Sequence, residues 1–244
     1  MQLEALALRM RPRAPLEAAD LGARLCQSVA PSVYACYAVA YIPVVALALA
    51  SFEIASWLPT LVLFLAKPWL DRTILFVLSR AAFGQTTTVQ QLWAAQRRVW
   101  WSQLLLTWTW RRLSPWRSFT QPVYQLEGLP AGKVRRRVVQ IRRRKQGSAL
   151  LMTAAFATAE TCLAVTVLSL LVWFAPGDTA PDLGALLFDE ASILLEVAAA
   201  LAYALVIAFL EPFYVAAGFA MYLNRRAELE AWDVEQELRR AFVV

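Results

Sequence analysis

Five ionisable residues stand inside apolar stretches, where their types and spacing could support chemistry. They are Lys67, Asp71, Arg72, Glu160 and Glu211. An unpaired charge at the centre of a membrane helix costs at least about 2.5 to 3.5 kcal/mol, so such charges usually face one another, water or a ligand. The chemistry open to them is ion pairing, transfer of a proton or ion, or binding of a charged lipid headgroup.

Helical spacing predicts how these charges pair. Lys67 and Asp71 are four residues apart and can pair along their own helix. Arg72, Glu160 and Glu211 are then left, and we expect the cations of the second predicted span, Lys67 and Arg72, to contact these two glutamates, which belong to two other helices, in the centre of a bundle. These contacts form either a structural clamp that fixes helix order or a polar path or cavity for an ion, proton or headgroup. The sequence leaves both interpretations open.

Catalysis is the less favoured interpretation. The sequence contains no histidine, which excludes Ser-His and Cys-His nucleophile pairs and most zinc sites. Glu160 and Glu211 could act as acid and base only if the fold brought them together. No pattern in the sequence identifies a residue as a nucleophile. Cys26, Cys36 and Cys162 lack CxxC spacing and are interpreted as small hydrophobic residues. We therefore expect no enzyme activity, no metal site and no cofactor.

A tyrosine stripe precedes the first of these charges. Tyr34, Tyr37 and Tyr41 recur at i, i+3 and i+7, which places three side chains on one helix face. The stripe either packs in the core or lines the same polar interior as the charges.

The elements that must position these residues are membrane helices. Hydrophobic residues make up 59% of the 244-residue chain, charged residues 17%, and the mean hydropathy is +0.49, which is too apolar for a soluble domain. A membrane-spanning helix needs about 20 mostly apolar residues. The segments that qualify are residues 30–51, 57–79, 149–174 and 191–223. The predicted fold is all-α, a single polytopic membrane domain with four transmembrane helices plus interfacial and cytoplasmic amphipathic helices.

Basic residues predict the orientation. All but two of the 24 Lys and Arg residues lie in the amino-terminal segment, in residues 80–148 or in the tail, and the connections at 52–56 and 175–190 contain none. Because cytoplasmic loops are enriched in Lys and Arg, both termini and residues 80–148 are predicted to face the cytoplasm. The two exceptions are Lys67 and Arg72. The predicted location is the bacterial inner membrane.

Three segments outside the spans have helical or interfacial character. Leu16 to Gln27 is predicted to be an amphipathic helix that lies on the membrane. Residues 93–116 hold six of the ten tryptophans, a residue typical of the headgroup layer. Residues 99–110 are too short to span, so we interpret them as interfacial or, alternatively, as re-entrant or core-packed. The tail, residues 224–244, is predicted to be a cytoplasmic amphipathic helix.

A basic run, "KVRRRVVQIRRRK" at residues 133–145, leads into the third predicted span. Such a run is commonly a solvated face or a determinant of topology. Alternatively it binds anionic headgroups, since each cation close to an acidic leaflet contributes roughly 1 kcal/mol. The residues predicted to contact anionic lipid are Arg135, Arg136, Arg137, Arg142, Arg143, Arg144 and Lys145. Nucleic acid is not an expected partner, because no nucleic-acid-binding motif surrounds the run.

Three blocks of sequence carry a resemblance to a known family. "EPFYVAAGFAMYLNRRAELEAWDVE", "KPWLDRTILFVLSRAAFG" and "PVYQLEGL" resemble an uncharacterised group of bacterial polytopic inner-membrane proteins. That group is distantly similar to the membrane region attached to some glycerophosphodiester phosphodiesterases. Its members are encoded near MoxR-type ATPases and transglutaminase-like membrane proteins, so the resemblance implies a role in cell-envelope assembly. It implies no catalytic residue, because the metal-binding acidic and histidine residues of the phosphodiesterase domain have no counterpart in the sequence.

The sequence therefore favours a non-enzymatic inner-membrane component or scaffold of a cell-envelope complex. The alternative is a small transporter or lipid-handling subunit that uses the intramembrane charges. Expected partners are membrane lipids with anionic headgroups and proteins of an envelope complex, and a homo-oligomer is also compatible with the sequence.

Overall fold

The computed structural model describes residues 13–101, 114–174 and 193–230, and all the regular structure in these ranges is helical. In chain order the α-helices are α1 (Pro15–Ser28), α2 (Ala30–Ala50), α3 (Leu58–Ala81), α4 (Val89–Ala94), α5 (Arg117–Leu126), α6 (Ala131–Arg142), α7 (Gln146–Trp173) and α8 (Ile193–Glu230). A 3-10 turn (Ser51–Glu53) follows α2, and a π-helical turn (Arg97–Trp101) follows α4. The predicted all-α class is confirmed. Most of the predicted tail helix, and the predicted interfacial segment beyond residue 101, lie outside the described residues.

Three helices in the described ranges are long and apolar enough to cross a membrane. They are Ala30–Glu53, Gln146–Leu170 and Leu195–Glu230, which correspond to the first, third and fourth predicted spans. The second predicted span, residues 57–79, is the 24-residue helix α3. It does not qualify on composition because three charged residues lie close together in it. The predicted count of four spans is therefore not confirmed.

Helix α3 lies at the centre of the bundle. It contacts both α2 and α8, and its side chains Leu70, Ile74 and Leu78 are fully buried. Burial of one such side chain contributes roughly 1.5 to 3 kcal/mol, so this helix makes a large part of the core. Because Lys67, Asp71 and Arg72 of α3 are buried in protein, these charged residues can face other side chains instead of lipid.

The amino-terminal helices run antiparallel to α8. Near one end, the Asn224 side chain exchanges two hydrogen bonds with the backbone of Arg13, at 2.9 and 3.0 Å. Further along, the Tyr41 hydroxyl donates to the backbone carbonyl of Ala204 at 2.6 Å. Residue numbers rise from Arg13 to Tyr41, whereas those of their partners in α8 fall from Asn224 to Ala204. Helices α1 and α2 therefore lie alongside α8 in the opposite direction.

Helix α1 forms as predicted, and its location on the membrane surface stays a prediction. It lies along α8, and Ala18 and Cys26 are buried. The reason is Gly22, whose missing side chain lets two backbones touch: a Cβ built there would be 2.2 Å from the Ala216 carbonyl oxygen. Burial raises the pKa of the Cys26 thiol to about 11, so this cysteine stays protonated and unreactive at neutral pH.

Gly22→Ala tests the close contact between α1 and α8. We expect it to destabilise the protein by about 1 to 3 kcal/mol, the usual cost of overpacking, because the added methyl group meets backbone atoms of Ala216 and Ala217 that cannot rotate away. Gly147→Ala is the matched control, since a Cβ at Gly147 meets nothing within 4 Å. Thermal unfolding in detergent measures both. Equal melting temperatures for the two variants would show that α1 does not pack closely on α8.

The described start of the tryptophan-rich segment packs on α3. A capping box begins α4: Thr88 Oγ1 accepts from the Gln91 amide, and Gln91 Oε1 accepts from the Thr88 amide. Beyond this helix Trp100 is buried, and its indole nitrogen donates to the Thr73 hydroxyl of α3 at 2.9 Å. The core-packed alternative therefore holds for Trp100, whereas its neighbour Trp101 is exposed.

Ion pairs join the middle segment to the end of α8. Arg137 of α6 contacts Glu127, which follows α5, and Glu230 at the end of α8. Lys145, just before α7, contacts Glu228 of α8 at 2.7 Å. We call these five residues the basal network. It fixes α5 and α6 against α8 and thereby positions the first residue of α5.

Candidate functional site

Lys67 connects three helices. From α3, its Nζ donates to both carboxylate oxygens of Glu160 on α7, at 2.5 and 2.6 Å, and lies 3.4 Å from Glu211 Oε2 on α8. The side chains of Lys67 and Glu211 are buried, and the Glu160 side chain is 20% exposed. The predicted contact between α3 and the two glutamates is thus made by Lys67.

Arg117, the first residue of α5, is the second cation at this place. Its Nε lies 2.8 Å from Asp71 Oδ2, and its Nη2 donates to Glu211 Oε1 at 2.7 Å. The Asp71 side chain has no exposed surface. A planar guanidinium can face two carboxylates at once, so Arg117 ties α5 to both α3 and α8.

The two cations and their partners form one cluster drawn from α3, α5, α7 and α8. We call it the charge clamp, and its members are Lys67, Asp71, Arg117, Glu160 and Glu211. Glu211 is its centre, because its two carboxylate oxygens contact different cations. Removal of one partner from a buried ion pair typically costs about 3 to 5 kcal/mol, since the other charge stays buried without compensation.

The pairing differs in two details from the prediction. Asp71 contacts Arg117 of α5, whereas the sequence predicts a pair with Lys67 on its own helix. Arg72 is buried, and its Nη2 donates to the backbone carbonyl of Arg98 at 3.4 Å. The carbonyl of Arg72 in turn accepts a hydrogen bond from Gln125 at 2.8 Å. Arg72 therefore helps to hold the middle segment on α3.

Sequence reasoning missed Arg117 because this residue lies in a segment assigned to the cytoplasm. The charge balance of the predicted cluster indicated that a further cation was missing. The predicted cluster contains two cations and three carboxylates, so charge balance requires another buried cation. Nothing in the local pattern around Arg117 distinguishes it from the other arginines of residues 80–148.

A half-open pocket lies beside the charge clamp. Its volume is about 320 Å³, near the lower end of the range of about 300 to 1,000 Å³ for small-molecule sites. Every clamp residue except Asp71 lines it, together with the aromatic residues Phe64, Phe156, Tyr203 and Tyr214. The Lys67 ammonium lies 5.6 Å from the ring centre of Tyr203, and the Arg117 guanidinium lies 5.4 Å from that of Tyr214.

Two of the three tyrosines of α2 bond to α8, and the third stacks on one of them. Tyr34 donates to the Phe209 carbonyl at 3.0 Å, and Tyr41 donates to Ala204 as described above. Tyr37 is buried, and its ring stacks on that of Tyr41 with centroids 5.0 Å apart. The lining of the pocket beside the clamp includes none of these three residues, and Tyr37 and Tyr41 belong to the buried core.

The basic run divides into internal and exposed cations. Arg137 and Lys145 belong to the basal network, and Arg142 lies over the Trp116 ring at 4.0 Å. The exposed members are Lys133, Arg135, Arg136, Arg143 and Arg144. The exposed group retains the accessibility that contact with anionic headgroups requires.

The charges of the clamp are compensated by one another. Each clamp residue contacts an opposite charge within 3.4 Å. Glu160 and Glu211 meet at Lys67, whose ammonium contacts both carboxylates. Among the residues that the structure describes, no group of three or more His, Cys, Asp or Glu side chains is placed to hold a metal ion.

Comparison of the sequence with models of protein families and with characterised proteins gave no match, and comparison with solved structures gave none either. The resemblance to a bacterial inner-membrane family therefore stays a prediction. Conclusions about function rest on the charge clamp and on the pocket beside it.

Proposed function

We propose that this protein is a non-enzymatic, multi-span component of the bacterial inner membrane that serves as a scaffold in a cell-envelope complex. The observation that carries the proposal is the charge clamp, in which two cations join four helices through three carboxylates. A scaffold needs one defined order of helices, and a buried charge network can specify one arrangement over others. The envelope role comes from the family resemblance.

In this proposal α3 is a fourth membrane-spanning helix. Its 24 residues extend about 36 Å at about 1.5 Å per residue, which exceeds a hydrocarbon core of about 30 Å. Its residues Lys67, Asp71 and Arg72 are buried in protein, which lowers the cost of placing them in the membrane. With four spans, both termini and residues 80–148 face the cytoplasm, in agreement with the distribution of Lys and Arg.

The exposed part of the basic run extends the proposal to the membrane surface. Its four arginines are Arg135, Arg136, Arg143 and Arg144. On the cytoplasmic side they would contact anionic headgroups, at roughly 1 kcal/mol for each cation near the leaflet. Other proteins of the envelope complex remain the proposed macromolecular partners.

The pocket favours a second candidate function, a small transporter or lipid-handling subunit. Its lining places two cations and two carboxylates around a half-open volume, and intramembrane charges often mark an ion or substrate path. In a transporter these charges exchange partners during turnover, whereas in a scaffold they stay paired with one another.

A flux measurement separates the two candidates. We expect vesicles that contain the purified protein to show the same proton and potassium permeability as protein-free vesicles. Glu160→Gln is the test variant, because Glu160 is the most exposed carboxylate of the clamp. Glu228→Gln is the matched control: Glu228 is 19% exposed and pairs with Lys145 in the basal network. Permeability that exceeds the protein-free level and is lost only in Glu160→Gln would contradict the scaffold and support transport.

A further inference from the structure

The pocket beside the charge clamp opens sideways. At its rim, Phe64 of α3 is 49% exposed, and Ala157 and Thr161 of α7 are exposed. Helix α7 is apolar enough to span a membrane, and its side chains Leu163 and Val165 are exposed on the surface of the bundle. In a bilayer the mouth of the pocket therefore faces lipid acyl chains.

A charged pocket that opens to hydrocarbon cannot stay empty without cost. Ionised groups that face hydrocarbon are destabilising by several kcal/mol, and lipid tails cannot donate or accept hydrogen bonds to them. The occupant that removes this cost has a polar part that fits among the charges and an apolar part that leaves through the mouth. A membrane amphiphile has this construction.

The charges in the lining indicate which kind of headgroup fits. Lys67 and Arg117 balance Glu160 and Glu211, so the lining carries no net charge. Asp71 lies behind Arg117, outside the lining, and brings no positive charge. The cluster therefore has no surplus of positive charge to balance a net anionic headgroup, whereas a zwitterion needs none.

Each end of a zwitterionic headgroup has a partner in the pocket. The Arg117 guanidinium suits a phosphate, because its fork of donors matches phosphate oxygens. Glu160 suits an ammonium: Lys67 donates one hydrogen bond to each of its oxygens, and each carboxylate oxygen can accept a second. The ring of Tyr203, which also lines the pocket, can face the same ammonium.

We propose that the pocket between α3, α5, α7 and α8 binds the headgroup of a zwitterionic aminophospholipid taken from the surrounding membrane. The phosphate lies toward Arg117, the primary amine toward Glu160, and the acyl chains leave past Phe64 and Thr161. This site goes beyond the scaffold proposal and does not depend on it, because a scaffold or a transporter can hold such a lipid.

Native mass spectrometry tests the proposal with the full chain purified in the presence of equal amounts of phosphatidylethanolamine and phosphatidylglycerol. We expect one phosphatidylethanolamine to stay bound to the wild type. Thr161→Phe should lose it, because the larger side chain fills the mouth of the pocket. Thr166→Phe should keep it. Thr166 is a matched control, since it is exposed on the same helix, its hydroxyl donates to the carbonyl four residues earlier as that of Thr161 does, and it is not in the lining.

A second variant tests the headgroup assignment without filling the pocket. Glu160→Gln removes the proposed ammonium partner and one negative charge, so bound lipid should shift from phosphatidylethanolamine toward phosphatidylglycerol. Equal lipid retention by Thr161→Phe and Thr166→Phe would overturn the site, because the lipid would then be an annular one. Preference of the wild type for phosphatidylglycerol would overturn the zwitterion assignment. Neither result depends on vesicle permeability, so the scaffold proposal is tested separately.

Discussion

Arg117→Met is expected to cost about 3 to 5 kcal/mol of folding stability, the usual result of removing one partner from a buried ion pair. The variant keeps two carboxylates, Asp71 and Glu211, that lose their contacts at 2.8 and 2.7 Å with the guanidinium. Asp71 has no exposed surface through which water could replace the cation. A loss of this size is a large fraction of the stability of a typical domain, about 5 to 15 kcal/mol. The measurement is the yield of monodisperse protein after membrane extraction, together with its melting temperature.

Three further variants make this test specific. Arg117→Lys keeps the charge but not the planar fork, so its loss should be intermediate. Arg136→Met removes an exposed arginine of α6 and should stay within about 0.5 kcal/mol of the wild type. Adding Asp71→Asn to Arg117→Met should restore part of the stability, because it removes an uncompensated buried charge. If Arg117→Met is as stable as Arg136→Met, Arg117 does not hold α5 on the bundle.

Reversal of the Lys67–Glu160 pair is the second test with a large expected effect. Lys67→Glu places three carboxylates together, and Glu160→Lys places two cations together, so each single variant should lose at least about 3 to 5 kcal/mol. The double variant restores one opposite-charge pair between α3 and α7. Its recovery should be partial, because the new carboxylate at position 67 still lies near Glu211, which is 3.4 Å from the Lys67 ammonium in the wild type. Detergent-resistant thermal stability measures all three variants.

An exposed pair in the same protein supplies the control for charge reversal. Arg24 and Asp20 pair at 3.2 Å on α1, with side chains 73% and 61% exposed. Their reversal should change stability by no more than about 1 kcal/mol, the usual range for surface pairs. Normal folding of all three variants of the Lys67–Glu160 pair would contradict the clamp and favour charges held in a hydrated site that awaits a ligand.

The position of the buried charges could be predicted from sequence because their segments are otherwise apolar. A charge in such a segment must be compensated inside the protein, whatever the fold. This argument identified Lys67, Asp71, Glu160 and Glu211, which the structure brings into one cluster. It could not identify Arg117, because an arginine in a polar segment is compatible with full exposure to water.

The placement of α1 shows a second limit. The alternation of apolar and polar residues in Leu16 to Gln27 correctly predicts a helix, since the pattern depends only on helical periodicity. The same pattern does not distinguish a membrane surface from the side of another helix, because both cover an apolar face. The packing of α1 on α8 depends on the contact between Gly22 and the backbone of Ala216. These two positions are far apart in the chain, so no local pattern predicts their contact.

By itself, the sequence determined that this protein is helical, that three of its segments are long and apolar enough for a membrane, and which charges need partners. These properties follow from local composition and periodicity, and each residue contributes to them whatever the rest of the chain does. Only the tertiary structure decided that Lys67 binds Glu160, that Arg117 completes the clamp, and that a pocket lies beside it. Arg117 and Glu211 are separated by 94 positions, and no local pattern specifies which of several cations closes a contact over that distance.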